Sequence, residues 1–230
     1  MRSAHKKYVQ VFNSDLTQGY NGFSGKFLVN LNFADENRPP TTRVHSPRWS
    51  SQKDQRQQDV CDELERQGVL VDPKPLGIQI KHISPCFIQK KGRAAHKNIE
   101  ECAVDELRFL VAFNGINDYL RPMPTQVDNE QEVFCFLADN PWIIILDLFN
   151  SYFQLVMTEE SLPYLAIMTP HRGIRCMARA GQGLLGMDGE LKELLKRIFG
   201  DEMKRGICKI IADEMCIGGS SKEEALRNYK

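Results

Sequence analysis

The chain is 230 residues long, 42% hydrophobic and 26% charged, with 30 basic side chains matching 30 acidic ones. That length and mix allow one large domain or two small ones around a buried core, and exclude wholesale disorder. A formal net charge of zero excludes global attraction to nucleic acid, so any such binding rests on local basic patches.

The seven cysteines (61, 86, 102, 135, 176, 208 and 216) show neither a CxxC pair nor zinc-ligand spacing. An odd count without a secretory leader points to free thiols in a reducing compartment. The longest apolar run, Trp142 to Leu146, is too short to cross a bilayer. The expectation is a soluble intracellular protein, cytoplasmic or nuclear, without a membrane partner.

Residues 1–50 are rich in Asn, Gly, Pro and Ser, and 1–53 reads as an extended lead-in with one strand-like piece at Lys26–Phe33. The basic, proline-bearing stretch RPPTTRVHSPRW (38–49) within it is expected to be extended and exposed, with a simple linker as the alternative to a functional segment. DQRQQDVCDELERQ (54–67) sets Val60 and Leu64 on one helical face and stops at Gly68. IQIKHISPCFIQKKGR (78–93) reads as a strand entering a basic turn, and DELRFLVAFNGIND (105–118) as a second strand ended by turn residues. A short helix is expected at Glu130–Ala138.

WIIILDLFNSYFQLVM (142–157) carries the strongest strand signal, with a β-branched run expected to be buried on both faces. Pro163–Thr169 is a further strand. GMDGELKELLKRIFGD (186–201) is a helix with Leu191, Leu194, Leu195 and Ile198 at core spacing, closed by Gly200. KIIADEMCIGG (209–219) is a hairpin, Ile207–Ile211 pairing with Met215–Ile217, and its bend holds Asp213 and Glu214. A two-residue turn ordinarily recruits Asn-Gly or Asp-Gly, so the acidic pair is either a solvated turn or one side of a cation site.

Asp147 is the candidate third carboxylate. An apolar strand that buries an aspartate must compensate its charge, with a metal ion or with structural hydrogen bonds. Converging carboxylates suit Mg²⁺, a hard cation that combines few protein ligands with substrate phosphates. Two such ions about 3.5–4 Å apart clamp the attacking and leaving oxygens of phosphoryl transfer.

The order of these parts resembles the reverse transcriptases of long-terminal-repeat retroelements. ILDLFNSYFQL is similar to their motif A, AGQGLLGMDGEL (180–191) to motif B, and IIADEMCIGGSSKEE to motif C. Upstream, LERQGVLVDP and ISPCFIQKKG…DELRFLVAFNGIN look like the segment entering the fingers and the two fingers strands. The resemblance covers roughly residues 55–230.

It implies an α+β fold: a fingers subdomain at 54–140 and a palm at 141–230 with an antiparallel sheet backed by helices, the thumb absent. It implies template-directed transfer from a dNTP to a primer 3′-hydroxyl on an RNA or DNA template, within a Gag-Pol-type polyprotein. Asp147, Asp213 and Glu214 then become the catalytic and metal-binding residues, with Mg²⁺ as cofactor and Mn²⁺ as its substitute. Tyr152 becomes the ring that blocks a 2′-hydroxyl, and Arg108 the guanidinium that grips the triphosphate. Lys91 joins Lys90 and Arg93 in a basic fingertip, and Gly183 lets the backbone approach nucleotide and template.

Three departures from the family pattern stand out. Ile211-Ala212 replaces the aromatic start of motif C, Glu214 replaces its second aspartate, and the sequence stops at Lys230, so the expectation is a fragment or decayed copy in which the thumb and RNase H regions have no counterpart. These favour an alternative, a catalytically dead or co-opted relic that binds nucleic acid or protein. A template-independent palm-type nucleotidyltransferase is a further alternative, which the glycine turn and helix between the acidic strands argue against.

Overall fold

The computed structural model describes residues 21–22, 25–41, 50–123, 130–148, 150–211 and 214–230. The described residues form a mixed α/β fold of small sheets and helices around one continuous hydrophobic core. No helix among them is long and apolar enough to cross a membrane.

The expected strand at Lys26–Phe33 is broken into β2 (Gly25–Lys26) and β3 (Leu28–Val29), with Phe33 bridging to Leu120; β1 (Asn21–Gly22) precedes them as the partner of β2. Phe27, Val29 and Leu31 are buried in the core. Helix α1 (Ser51–Arg66) starts three residues earlier than its apolar pattern, because the Ser50 hydroxyl accepts a hydrogen bond from the Lys53 amide and caps it. Val60, Cys61 and Leu64 form its buried face.

Strand β4 (Leu70–Val71) pairs with β11 (Gly173–Met177), which runs antiparallel to β10 (Ala166–Thr169); β5 (Ile83–Ser84) completes that sheet in parallel with β10. Strands β6 (Cys86–Lys90) and β7 (Leu107–Val111) form an antiparallel pair that sets Gln89 opposite Arg108. The second strand ends at Val111 in the expected turn residues, of which Asn114–Asn117 form the one-turn helix α2. Helix α3 spans Glu130–Asp139.

The long strand expected at 142–157 is two strands. Strand β8 (Trp142–Asp147) ends at the aspartate, Asn150 takes a left-handed φ of 46°, and a 3-10 turn (Ser151–Gln154) leads to β9 (Val156–Met157). Strand β8 is also not buried on both faces: Trp142 is 50% exposed and Ile145 59%. Strand β8 is the outer strand of the antiparallel sheet β12–β13–β8, formed with β12 (Cys208–Ile211) and β13 (Glu214–Gly219).

The face that carries Ile210, Met215 and Ile217, with Ile144 and Leu146 beside them and Trp142 at its margin, packs on the core, and Ile145 lies on the opposite face. Helix α4 (Met187–Lys204) presents Leu191, Leu194, Leu195 and Ile198 to the same core, as its periodicity predicts. It does not stop at Gly200. Gly206, at φ 71°, donates to Met203 O while Ile207 donates to Glu202 O, the paired bonds of a left-handed helix stop. Helix α5 (Lys222–Tyr229) then packs so closely on β13 that a Cβ on Gly219 would lie 2.4 Å from the Ala225 nitrogen.

Candidate active site

Asp147 is the last residue of β8 and Glu214 the first of β13, and the antiparallel register sets them directly opposite one another. Both are exposed. The premise that the apolar strand would bury Asp147 is therefore corrected: at the open end of an outer strand its charge faces solvent without a burial penalty. Like charges in directly opposed positions repel, and two facing carboxylates supply the hard oxygen donors that Mg²⁺ prefers. Asp213 lies outside the described residues. Among the described residues no group of three or more metal-ligating side chains forms.

Asp147 borders a cleft of about 1000 Å³, together with Lys91, Arg108, Tyr152, Gly181 and Gln182. The cleft joins the β6–β7 pair to the start of the 3-10 turn and the loop before α4. Arg108 projects from β7 and is exposed. Lys91 follows β6, its amide bonded to Glu106 O at 2.8 Å. Partial burial, reinforced by the nearby charges of Arg93 and Arg108 and opposed by Asp105, holds the Lys91 ammonium below the ordinary lysine range. Two cations therefore share this wall of the cleft.

The other members of the expected basic fingertip are committed to the turn itself. Lys90 Nζ donates to Ala95 O at 2.9 Å and Lys97 O at 2.7 Å. Arg93 pairs with Asp105, and Lys97 with Glu106 at 2.6 Å. These contacts fix the shape of the turn and leave Lys91 and Arg108 on the cleft side.

Tyr152 sits in the 3-10 turn, half-buried against the core, and its hydroxyl donates to Asp188 Oδ1 in the first turn of α4. Gly183 has φ 87° and does not border the cleft; its neighbours Gly181 and Gln182 do. The loop is held by Asn117, whose Nδ2 donates to Gly183 O at 2.9 Å and whose Oδ1 accepts from Leu185 N at 3.0 Å.

Asn117, Gln182 and Asp188 are features that the sequence did not single out as site residues. Asn117 reads as a turn residue after a strand, and Asp188 as an ordinary first-turn acid favoured by the helix dipole. Only Gln182 carried a signal, as a neighbour of Gly183 in a glycine-rich turn.

No protein-family model and no curated protein sequence matches the chain. Solved structures do. A prototype foamy virus protease–reverse transcriptase superimposes on 87% of this chain with a TM-score of 0.65, at 17% sequence identity. The fold is reverse-transcriptase-like. The chain spans 24% of the length of that viral protein, and at this identity the likeness concerns the fold alone. It coincides with the order of parts for which the sequence resembles reverse transcriptases.

Proposed function

We propose that this chain is the fingers and palm of a retroelement reverse transcriptase, carrying template-directed nucleotidyl transfer from a dNTP to a primer 3′-hydroxyl. The observation that carries this reading is the meeting of Asp147, Arg108, Lys91 and Tyr152 at one cleft within a reverse-transcriptase-like fold. They come from three separate segments of the chain, and each has chemistry that the reaction uses.

Arg108 and Lys91 would hold the triphosphate, the guanidinium through paired N–H groups and the ammonium as a point charge. Tyr152 would lie beneath the sugar and exclude a 2′-hydroxyl by bulk. Gly181 and Gln182 would present loop backbone to the base and template. Asp147 and Glu214, with Asp213 between the two strands in sequence, fit a Mg²⁺ site by their donor chemistry and would hold the ion. Bound there, Mg²⁺ (or Mn²⁺ in its place) supplies charge neutralisation at the transferring phosphate. The residues' own contribution is to orient the reactants, which accounts for most of catalysis in phosphoryl transfer. The partners on this reading are a primed RNA or DNA template, dNTPs and the remainder of a Gag-Pol-type polyprotein, in the cytoplasm or nucleus.

A second reading has its own observation. Glu214 puts a longer side chain opposite Asp147 than the family pattern has, which favours a relic that retains the fold and binds nucleic acid or protein without catalysis. Primer extension on a homopolymer template separates the two. Weak Mg²⁺-dependent extension that disappears in Asp147→Asn supports the polymerase. Primer–template binding with no extension in either Mg²⁺ or Mn²⁺ supports the relic.

A further inference from the structure

Tyr152 borders the cleft, whereas Asp188 does not. The tyrosine belongs to a four-residue 3-10 turn entered through a left-handed Asn150, held locally by Phe153 N to Asn150 O at 2.9 Å and Leu155 N to Tyr152 O at 3.0 Å. The ring packs against the core on one side, and the hydrogen bonds of a 3-10 turn are poorer in geometry than those of an α-helix. Asp188 stands on an 18-residue helix, next to Met187, which is buried with Leu191, Leu194 and Leu195. The hydrogen bond from the Tyr152 hydroxyl to Asp188 Oδ1 therefore ties a ring on a short turn to a rigid support behind it. A carboxylate acceptor makes this a bond of the stronger kind. The first turn of a helix is also where a carboxylate is favoured by the backbone dipole.

We infer that Asp188 is a positioning residue for Tyr152: it fixes the height of the ring in the cleft and so sets how sharply a 2′-hydroxyl is excluded. The inference rests on the proposed function, because only a nucleotide in the cleft reads the position of the ring. It also specifies how the exclusion works. The phenolic proton is directed to Asp188, so Tyr152 does not donate to a sugar hydroxyl and discriminates by bulk. Asp188 touches no substrate and acts only through the ring.

The test uses the full chain with ¹³Cζ-labelled tyrosine, together with equilibrium binding of Mg²⁺·dATP and Mg²⁺·ATP. The Tyr152 resonance, assigned by its loss in Tyr152→Phe, moves in Asp188→Ala and returns towards its original position in Asp188→Asn, which keeps a carbonyl acceptor. The preference for dATP over ATP falls about tenfold in Asp188→Ala, the size of one hydrogen bond to a charged group. It falls equally in Tyr152→Phe and no further in the double variant, since both changes break the same bond. Asp188→Asn recovers most of the preference.

A resonance that stays put in Asp188→Ala overturns the inference, because the bond is then not formed in solution. So does an unchanged preference in Asp188→Ala while Tyr152→Val abolishes it; in that case the gate survives and its support lies elsewhere. Binding of neither nucleotide, or equal binding of both by the unaltered chain with the resonance behaving as expected, removes the gate itself and this role of Asp188 with it.

Discussion

Asp147 and Glu214 occupy directly opposed positions where strands β8 and β13 meet at their open end. Nothing in the pairing of two like charges favours the fold by itself, and opposed like charges cost stability. Asp147→Asn is therefore expected to leave the metal-free protein as stable as before or more stable by roughly 0.2–1 kcal/mol, the range of one cross-strand pair. The same variant should lose the stabilisation that added Mg²⁺ confers. Denaturant midpoints with and without Mg²⁺ check both halves. A marked loss of stability in the absence of metal would identify Asp147 as a structural residue.

Lys91 gives the cleft a pH dependence. Burial first, and then Arg93 and Arg108, place its ammonium below the ordinary lysine range. A bound triphosphate favours the charged form, so binding takes up a proton once the free lysine has begun to lose its own. If the proposed function holds, nucleotide affinity should be full below the Lys91 pKa and decline as pH rises through it, earlier than an ordinary lysine would cause. Arginine stays protonated throughout this range, and Lys91→Arg should flatten the decline. An identical pH profile in the two proteins would take Lys91 out of phosphate binding.

Two glycines test the packing of the antiparallel sheet and its helices. Gly200 lies inside α4, and a methyl group there would meet nothing within 4 Å, so Gly200→Ala should stabilise the chain by about 0.5–1 kcal/mol through helix propensity. A methyl on Gly219 would meet the backbone of Ala225 at 2.4 Å, and Gly219→Ala should cost about 1–3 kcal/mol as α5 is pushed off the sheet. Thermal unfolding of the pair distinguishes them by sign. A neutral Gly219→Ala would mean that α5 docks on β13 more loosely than this close approach requires.

The parts of this fold that were legible in the sequence are those written in local periodicity. The stripe Leu191, Leu194, Leu195 and Ile198 specifies α4, and the apolar pieces flanking Asp213 specify the paired strands β12 and β13, because both patterns concern neighbours a few residues apart. The exposure of Ile145 was not legible: an isoleucine run reads as buried, and whether it is depends on what covers it, which only the tertiary packing decides. The same holds for the break after Asp147. It depends on Asn150 adopting a left-handed conformation within a sequence that remains strand-like in composition.

The cleft was legible only through the resemblance. The opposition of Asp147 to Glu214 follows from register between strands 67 residues apart in number (214 − 147). Asn117 holds Gly183 and Leu185 across a similar separation, through bonds of 2.9 and 3.0 Å. Long-range pairs of this kind leave no periodic mark. Asp188 was hidden for a different reason: an acid in the first turn of a helix already has a sufficient local explanation, so nothing in the sequence asks for a second one.

Glu214 decides between the polymerase and the relic. It lies on β13 opposite Asp147, where its carboxylate reaches about 1.5 Å farther from the backbone than an aspartate's, by one C–C bond. A misplacement near 1 Å in a catalytic constellation costs on the order of 10²-fold in rate. Primer extension by the unaltered chain should therefore be slow, and Glu214→Asp should raise its rate with little change in dNTP KM, since the change concerns metal geometry rather than triphosphate binding. Mg²⁺ demands near-ideal octahedral coordination, whereas Mn²⁺ accepts the same oxygen donors as a substitute, so the gap between the two proteins should narrow in Mn²⁺. Direct titration of either ion into both proteins supplies a readout independent of turnover: Glu214→Asp should bind Mg²⁺ more tightly and Mn²⁺ about equally. If neither the rate nor the Mg²⁺ affinity responds, Glu214 does not serve the metal, and the chain is better understood as a reverse-transcriptase-like fold retained for binding alone.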